Sequence, residues 1–397
     1  MNHALALSLV SLVSFVSFQG RIIVTDNTAS YEFGKRITFT LTVNSAVEVQ
    51  AITLFVLTSD DSRTQVTEAD FTPGTSVTAT VERGLRDHPV PPFSAVKYWW
   101  RVADASGAEL TTDPATLAYE DNRFTWQTAQ RGVVTAHWYA GDLAFGQLAA
   151  DIGAGALERI NRDIGAPPPE SVDAYIYKSV KDLQGGLELG GRTWVGGHAD
   201  PALGVVLVAV PPGPEAALGL ERDLPHELTH VLIYQFTKPN YAAVPSWLNE
   251  GLAVTQQVQP DPTYRLAVQR AQSAGTLLPL TELCGAFPVD AADATLAYAE
   301  SESVVRYIRD RWGSAKLAAL LAAYADGATC AGGTQRVLNT TLAGLENDWA
   351  RDVLQASPLS NILRRIAPWL LLFLLPLIPL IGLAFASTTK TQRHEDH

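Results

Sequence analysis

The sequence has only two cysteines among its 397 residues, Cys284 and Cys330, which excludes a fold built on disulfides. No C-x-x-C pair offers a zinc ribbon or a redox motif. Positive charge is also scarce: 29 Lys and Arg stand against 41 Asp and Glu, a net charge of −12. A surface that tracks phosphates needs the opposite balance, so nucleic acid is not expected as a partner. Charged residues amount to 18% and hydrophobic ones to 47%, too apolar a mixture for a disordered chain. There is no internal repeat, and no low-complexity segment outside the termini. At about 150 residues per domain the length leaves room for two or three domains, each with its own core.

What is present begins with two apolar ends. Ala4 to Phe18 form a run too short to cross a bilayer comfortably, which reads as the core of a secretion signal over residues 1–20. Ile366 to Ala386 give 21 residues without a charge. As a helix that stretch spans roughly 30 Å, one hydrocarbon core. Trp369 suits an interfacial aromatic belt, and Pro376 and Pro379 are tolerated more readily in a membrane than in a soluble helix. Basic residues flank the stretch on both sides, so the signal sets the orientation, with 387–397 as a cytoplasmic tail. The expectation is a single-pass protein of the cell membrane, most of it extracytoplasmic, with the membrane as a partner through its C-terminal helix. Cys284 and Cys330 then lie in an oxidising space, either as one disulfide or as two buried thiols.

Residues 21–127 read as all-β. Ile37–Val43, Ala51–Leu57, Ser76–Val81 and Ala95–Val102 are alternating, β-branched or aromatic, with turn clusters such as Thr72-Pro73-Gly74-Thr75 between segments. Short strands at this spacing predict an immunoglobulin- or fibronectin-like β-sandwich serving as a spacer or positioning module. Residues 132–357 read differently. Strands at Val133–Trp138, Ala174–Tyr177 and Val205–Val210 surround a helix over 142–163 that Pro167-Pro168-Pro169 close off. Helices follow at about 217–237, 245–258, 261–273, 294–312, 315–324 and 343–355. Strands first and helices after is the α+β pattern.

The chemistry concentrates in His226-Glu227-Leu228-Thr229-His230, an H-E-x-x-H. On a helix, residues i and i+4 share a face, so both imidazoles can bind one Zn2+. Glu227 stands one position round, beside the metal, where it can take a proton from a water that the metal activates. Leu224, Leu228, Val231 and Leu232 form the buried face, and Asp223 reads as an N-cap with Pro225 in the first turn. A catalytic zinc site needs a third protein ligand and an open fourth position. Glu250 stands twenty residues after His230, within Trp247-Leu248-Asn249-Glu250-Gly251-Leu252-Ala253.

These two segments together resemble the gluzincin zinc metallopeptidases. The wider context, including Trp194-Val195-Gly196-Gly197-His198-Ala199-Asp200, resembles the membrane-anchored, peptidase MA-like proteins of bacteria. The resemblance implies a thermolysin-like α+β metallopeptidase domain holding one Zn2+ per chain. It makes His226, His230 and Glu250 the metal ligands and Glu227 the general base. It also suggests that Tyr298 hydrogen-bonds the oxyanion, although Ser301 stands where the family's Y-x-x-G segment has its glycine. An acidic residue that supports a zinc histidine in some gluzincins, four positions after the third ligand, is here Val254. The glutamate that grips a free N-terminus in the aminopeptidase branch is missing from Gly196-Gly197-His198-Ala199, which favours an endopeptidase. Gly196, Gly197 and His198 are candidates for the substrate cleft, since glycines let a peptide backbone approach an edge strand closely. Asp200 reads as a turn residue. The expected function is hydrolysis of polypeptide substrates. A zinc hydrolase of non-peptide amides or esters, and a catalytically silent zinc-stabilised receptor or scaffold, are the alternatives.

Overall fold

The computed structural model describes residues 22–58, 63–187, 196–259 and 261–354. The expected signal, the apolar stretch 366–386 and the tail after it lie outside these, as do Trp194 and Val195. Among the described residues no helix is long and apolar enough to cross a membrane. The three longest have 22 residues each, but all carry Asp, Glu and Arg within their length. The fold class is corrected accordingly. The described residues are a mixture of sheets and helices, none of the helices a transmembrane span, and they lend no support to the single-pass location in the cell membrane or to the membrane as a partner.

The chain divides into two compact units, one through Thr125 and one from Trp126 onward, apart from a short segment at 186–191. Among its described residues the first holds seven strands: β1 (Ile23–Glu32), β2 (Arg36–Leu57), β3 (Gln65–Glu68), β4 (Gly74–Gly84), β5 (Ser94–Asp104), β6 (Glu109–Thr111) and β7 (Ala115–Tyr119). They form one antiparallel sheet rather than the two separate sheets expected of a sandwich. The reason lies in β2. Two segments expected as separate strands, 37–43 and 51–57, are the halves of this one 22-residue strand. Its first half pairs with β1 and β4 and its second with β3 and β5, with a register shift after Asn44. Ile37, Phe39, Leu41 and Val43 alternate with threonines and are fully buried, around Trp100 and Tyr119.

The second unit is built on a five-stranded sheet. Its strands are β8 (Gln127–Arg131), β9 (Val134–Trp138), β10 (Val172–Tyr177), β11 (Gly197–Asp200) and β12 (Val205–Ala209), in the order β11-β12-β10-β9-β8. β9, β10 and β12 run parallel, and both edges are antiparallel. Helix α1 (Leu143–Ile164) crosses between β9 and β10. Asp142 caps its start, accepting from the Phe145 N–H at 3.0 Å, and left-handed Gly165 ends it before the three prolines. After α2 (Val180–Gly186) and the last two strands, the rest of the described residues are mainly helical: α3 (Ala216–Thr237), α4 (Ser246–Thr255), α5 (Pro262–Ala274), α6 (Ala291–Trp312), α7 (Ser314–Ala325), α8 (Cys330–Leu338) and α9 (Leu342–Asp352). One core joins the sheet to α1 and α3, through Trp138, Ile176 and Val208 on the strands and Leu224, Leu228 and Val231 on α3. Cys284 and Cys330 are joined in a disulfide, tying the turn before α6 to the start of α8.

Two local features shape the site. Helix α3 begins at Ala216, not after an Asp223 cap, so Pro225 lies inside it. Tertiary burial of Leu220 and Ala216 starts the helix eight residues, just over two turns, before the capping pattern suggests and close to the expected 217. Gly251 is where α4 meets α6: a Cβ there stands 2.5 Å from the Ser301 carbonyl oxygen and 2.6 Å from Val305 Cγ2. Gly251→Ala is therefore expected to destabilise the fold by about 1–3 kcal/mol despite alanine's better helix propensity, as overpacking does. Urea unfolding checks this, and a midpoint equal to the wild type's contradicts it.

Candidate metal centre

Helix periodicity puts His226 and His230 on one face of α3, with ring centroids 5.1 Å apart. Pro245 stands at the N-cap of α4, and burial of Trp247, Leu248 and Leu252 turns Glu250 toward that face. Glu250 Oε2 lies 3.5 Å from Nε2 of His226 and 3.5 Å from Nε2 of His230. One donor atom from each of the three residues lies within 4.8 Å of the others, a group able to hold a metal ion. A tetrahedral centre with bonds of about 2.0–2.2 Å sets its ligand atoms roughly 3.4 Å apart, and two imidazoles with one carboxylate are a donor set zinc favours. The residues fit the ion.

The far side of each ring is also held. His230 Nδ1 is 3.0 Å from Asn249 Oδ1, and Asn249 Nδ2 donates to the Tyr241 hydroxyl at 3.0 Å. His226 Nδ1 is 3.2 Å from Gln257 Nε2. None of these three partners was assigned a role from sequence. Asn249 carried a signal, since it stands next to Glu250 in the same segment; Tyr241 and Gln257 carried none. Val254, where an acid stands in some gluzincins, is fully buried in the core.

Glu227 is buried and belongs to neither ring pair. Burial pushes its carboxyl up to about 8; His226 opposes the rise, and the charges of Glu250 and Asp223 add to it. A divalent cation held by His226, His230 and Glu250 would bring opposite charge close by and draw that value down. Burial, helped by the His226 charge, holds the His230 imidazole below its ordinary range against the pull of Glu250 and Asn249. For His226 burial acts the same way, but the Glu250 hydrogen bond and the charges of Glu227, Glu250 and Asp223 outweigh it, and the net shift is upward.

The strand at the sheet edge closes the site from one side. A Cβ on Gly197 stands 2.3 Å from Glu227 Oε1 and 3.2 Å from its Cγ, so only glycine leaves that carboxylate its place. Gly196 meets no such limit; its carbonyl accepts from Ala209 N–H at 2.9 Å and carries the pairing one residue past β11. His198 stands on β11, its pKa lowered by the protein packed around the imidazole and by the nearby His230 charge, against the pull of Asp200. Asp200 is the turn residue expected, accepting from Leu203 N–H at 3.2 Å. Tyr298, on α6, has its ring 6.2 Å from that of His226 and packs edge-on against Phe287. Gly197→Ala is expected to displace the Glu227 carboxylate and, with that carboxylate as the base, to lower turnover about 100-fold, the order that a 1 Å displacement costs. Steady-state kinetics beside thermal unfolding tests this; unchanged kcat/KM contradicts it.

Among solved structures, the M1 zinc metallopeptidase from Deinococcus radiodurans is similar to this chain at 14% identity, over 83% of this chain and 94% of that one, with a TM-score of 0.37. OgpA from Akkermansia muciniphila is similar at 13% identity over 25% of this chain, with a TM-score of 0.22. The likeness to OgpA spans about a quarter of that protein's length, 27%. These likenesses carry no weight for function. No curated protein matches the chain. The sequence profile of the Peptidase MA superfamily matches residues 152–355, just over half of the chain, a span that includes α3, α4, α6 and the edge strand β11. This chain belongs to the Peptidase MA superfamily.

Proposed function

We propose that the chain is a zinc-dependent peptidase that hydrolyses internal bonds of polypeptides, with His226, His230 and Glu250 as ligands of one zinc ion. The observation that carries this reading is the convergence of both Nε2 atoms on Glu250 Oε2 at 3.5 Å, with Glu227 alongside and outside the ligand set. When bound, zinc supplies Lewis acidity, making a water acidic near neutral pH and polarising a carbonyl. Glu227 takes the proton from the attacking water and delivers it to the leaving amine. Tyr298 donates a hydrogen bond to the oxyanion that develops on the carbonyl, an interaction worth roughly 3–4 kcal/mol where such donors have been removed. Gly196 and Gly197 give an extended substrate backbone close access to the edge strand, and His198 lines that approach. The absence of a glutamate from 196–199 supports endopeptidase over aminopeptidase action.

The test uses the full-length chain purified without chelator. Metal content is measured by mass spectrometry, and cleavage is followed on an unfolded protein and on an aminoacyl chromogenic substrate. One zinc per chain, with chelator-sensitive cleavage of the protein substrate alone, is expected. Absence of zinc, or cleavage that chelator leaves untouched, overturns the reading.

A further inference from the structure

We propose that Gln257 is the positioning residue for His226, its carboxamide oxygen accepting the Nδ1–H when Nε2 binds the metal. The inference rests on the metal centre proposed above. A neutral imidazole has one donor and one acceptor nitrogen, so the partner at one end fixes the tautomer at the other. With Nε2–H directed at Glu250, Nδ1 accepts, and Gln257 Nε2 donates to it across 3.2 Å. With the Nε2 lone pair on a metal, Nδ1 carries the proton and needs an acceptor. Gln257 holds one: its Oε1 is buried and has no hydrogen-bond partner among the described residues. The two ends of a carboxamide are nearly the same size, so a half-turn of the side chain presents the oxygen in place of the nitrogen. A carboxylate, the common partner of a metal-ligating histidine, serves only one of these two states.

The backbone explains why Gln257 is there. Pro225 has no N–H, so the carbonyl of Glu221, four residues earlier in α3, loses its donor within the helix. That carbonyl accepts instead from Val258 N–H at 3.1 Å. On the preceding side, Gln256 Nε2 donates to Asp163 at 2.8 Å and the Gln256 carbonyl accepts from Arg159 at 3.1 Å. Gln257 N–H itself closes the end of α4 on Val254 O at 3.2 Å. Gln257 is thus seated between residues tied to α3 and α1, and its side chain reaches the outer nitrogen of His226. The proline just before the H-E-x-x-H segment therefore frees the carbonyl that docks the support for its first histidine.

The experiment measures zinc affinity by competition with a chromophoric chelator, in the full-length chain and in Gln257→Leu, Gln257→Glu and Glu250→Ala. Gln257→Leu is expected to bind zinc about 10- to 100-fold more weakly, the usual worth of such a partner. Its thermal unfolding in the presence of chelator is expected to match the wild type's. Gln257→Glu restores an acceptor and is expected to bind zinc at least as tightly as the wild type. The His226 Nδ1–H resonance of the zinc-loaded protein is expected to persist in Gln257→Glu and to be lost in Gln257→Leu. If Gln257→Leu binds zinc like the wild type while Glu250→Ala does not, the positioning role is overturned and the metal centre stands. If Glu250→Ala also binds like the wild type, the metal centre and this proposal fall together.

Discussion

Glu227→Gln, loaded with zinc, is expected to lose turnover by about 10²- to 10⁴-fold, the range that a positioned general base contributes. Glutamine keeps the shape and most of the hydrogen bonding of glutamate but cannot take a proton from water. The fold has no reason to object. The side chain is buried, and burial already disfavours its charged form, with a pKa pushed up to about 8. The ligand set does not include Glu227, so stoichiometric zinc is expected in the variant. The check is kcat/KM on a protein substrate beside metal content in the same preparation. Wild-type turnover from a zinc-loaded variant removes Glu227 from the chemistry and, with it, the proposed route of hydrolysis.

Loss of the third ligand acts one step earlier. Glu250→Ala is expected to purify without zinc and to show no cleavage. A ligand counts for more than the roughly 10- to 100-fold in metal affinity that its outer partners contribute. The variant is expected to fold, because α4 is held by Trp247, Leu248 and Leu252 in the core and by the close contact of Gly251 with α6. The Glu250 side chain is 22% exposed and contributes little to that packing. Mass spectrometry for zinc and far-UV circular dichroism for helix content read the two effects separately. A well-folded variant that retains one zinc per chain contradicts the assignment of Glu250.

Much of the helical half was legible because its signals are local. Asp142, Asp261 and Asp290 cap the helices that follow them, and Gly165 and Gly275 end theirs in the left-handed conformation that glycine adopts freely. Other elements misled for a physical reason. Asp223-Leu224-Pro225 looks like a helix start because aspartate caps and proline suits the first turn, yet buried apolar contacts carry α3 through both. Ile37–Val43 and Ala51–Leu57 look like two strands, since no local rule says that the polar residues between them continue the pairing. The length and hydropathy of 366–386 suggested a membrane span; that stretch lies outside the described residues, and no helix among them is long and apolar enough to be one.

The sequence by itself determined that His226, Glu227 and His230 share a helix, because spacing of one and four residues places them whatever the rest of the chain does. It also marked Glu250, through the segment that contains it, and supplied the two cysteines that pair. Only the tertiary structure decided which groups complete the centre. Asn249 and Gln257 reach the outer nitrogens of the two histidines, and Gly197 leaves room for Glu227, from separate elements. Those meetings depend on how α4, the turn after it and β11 pack around α3. Helical and strand periods encode directions along one element, while a contact between elements depends on every side chain that sets their separation.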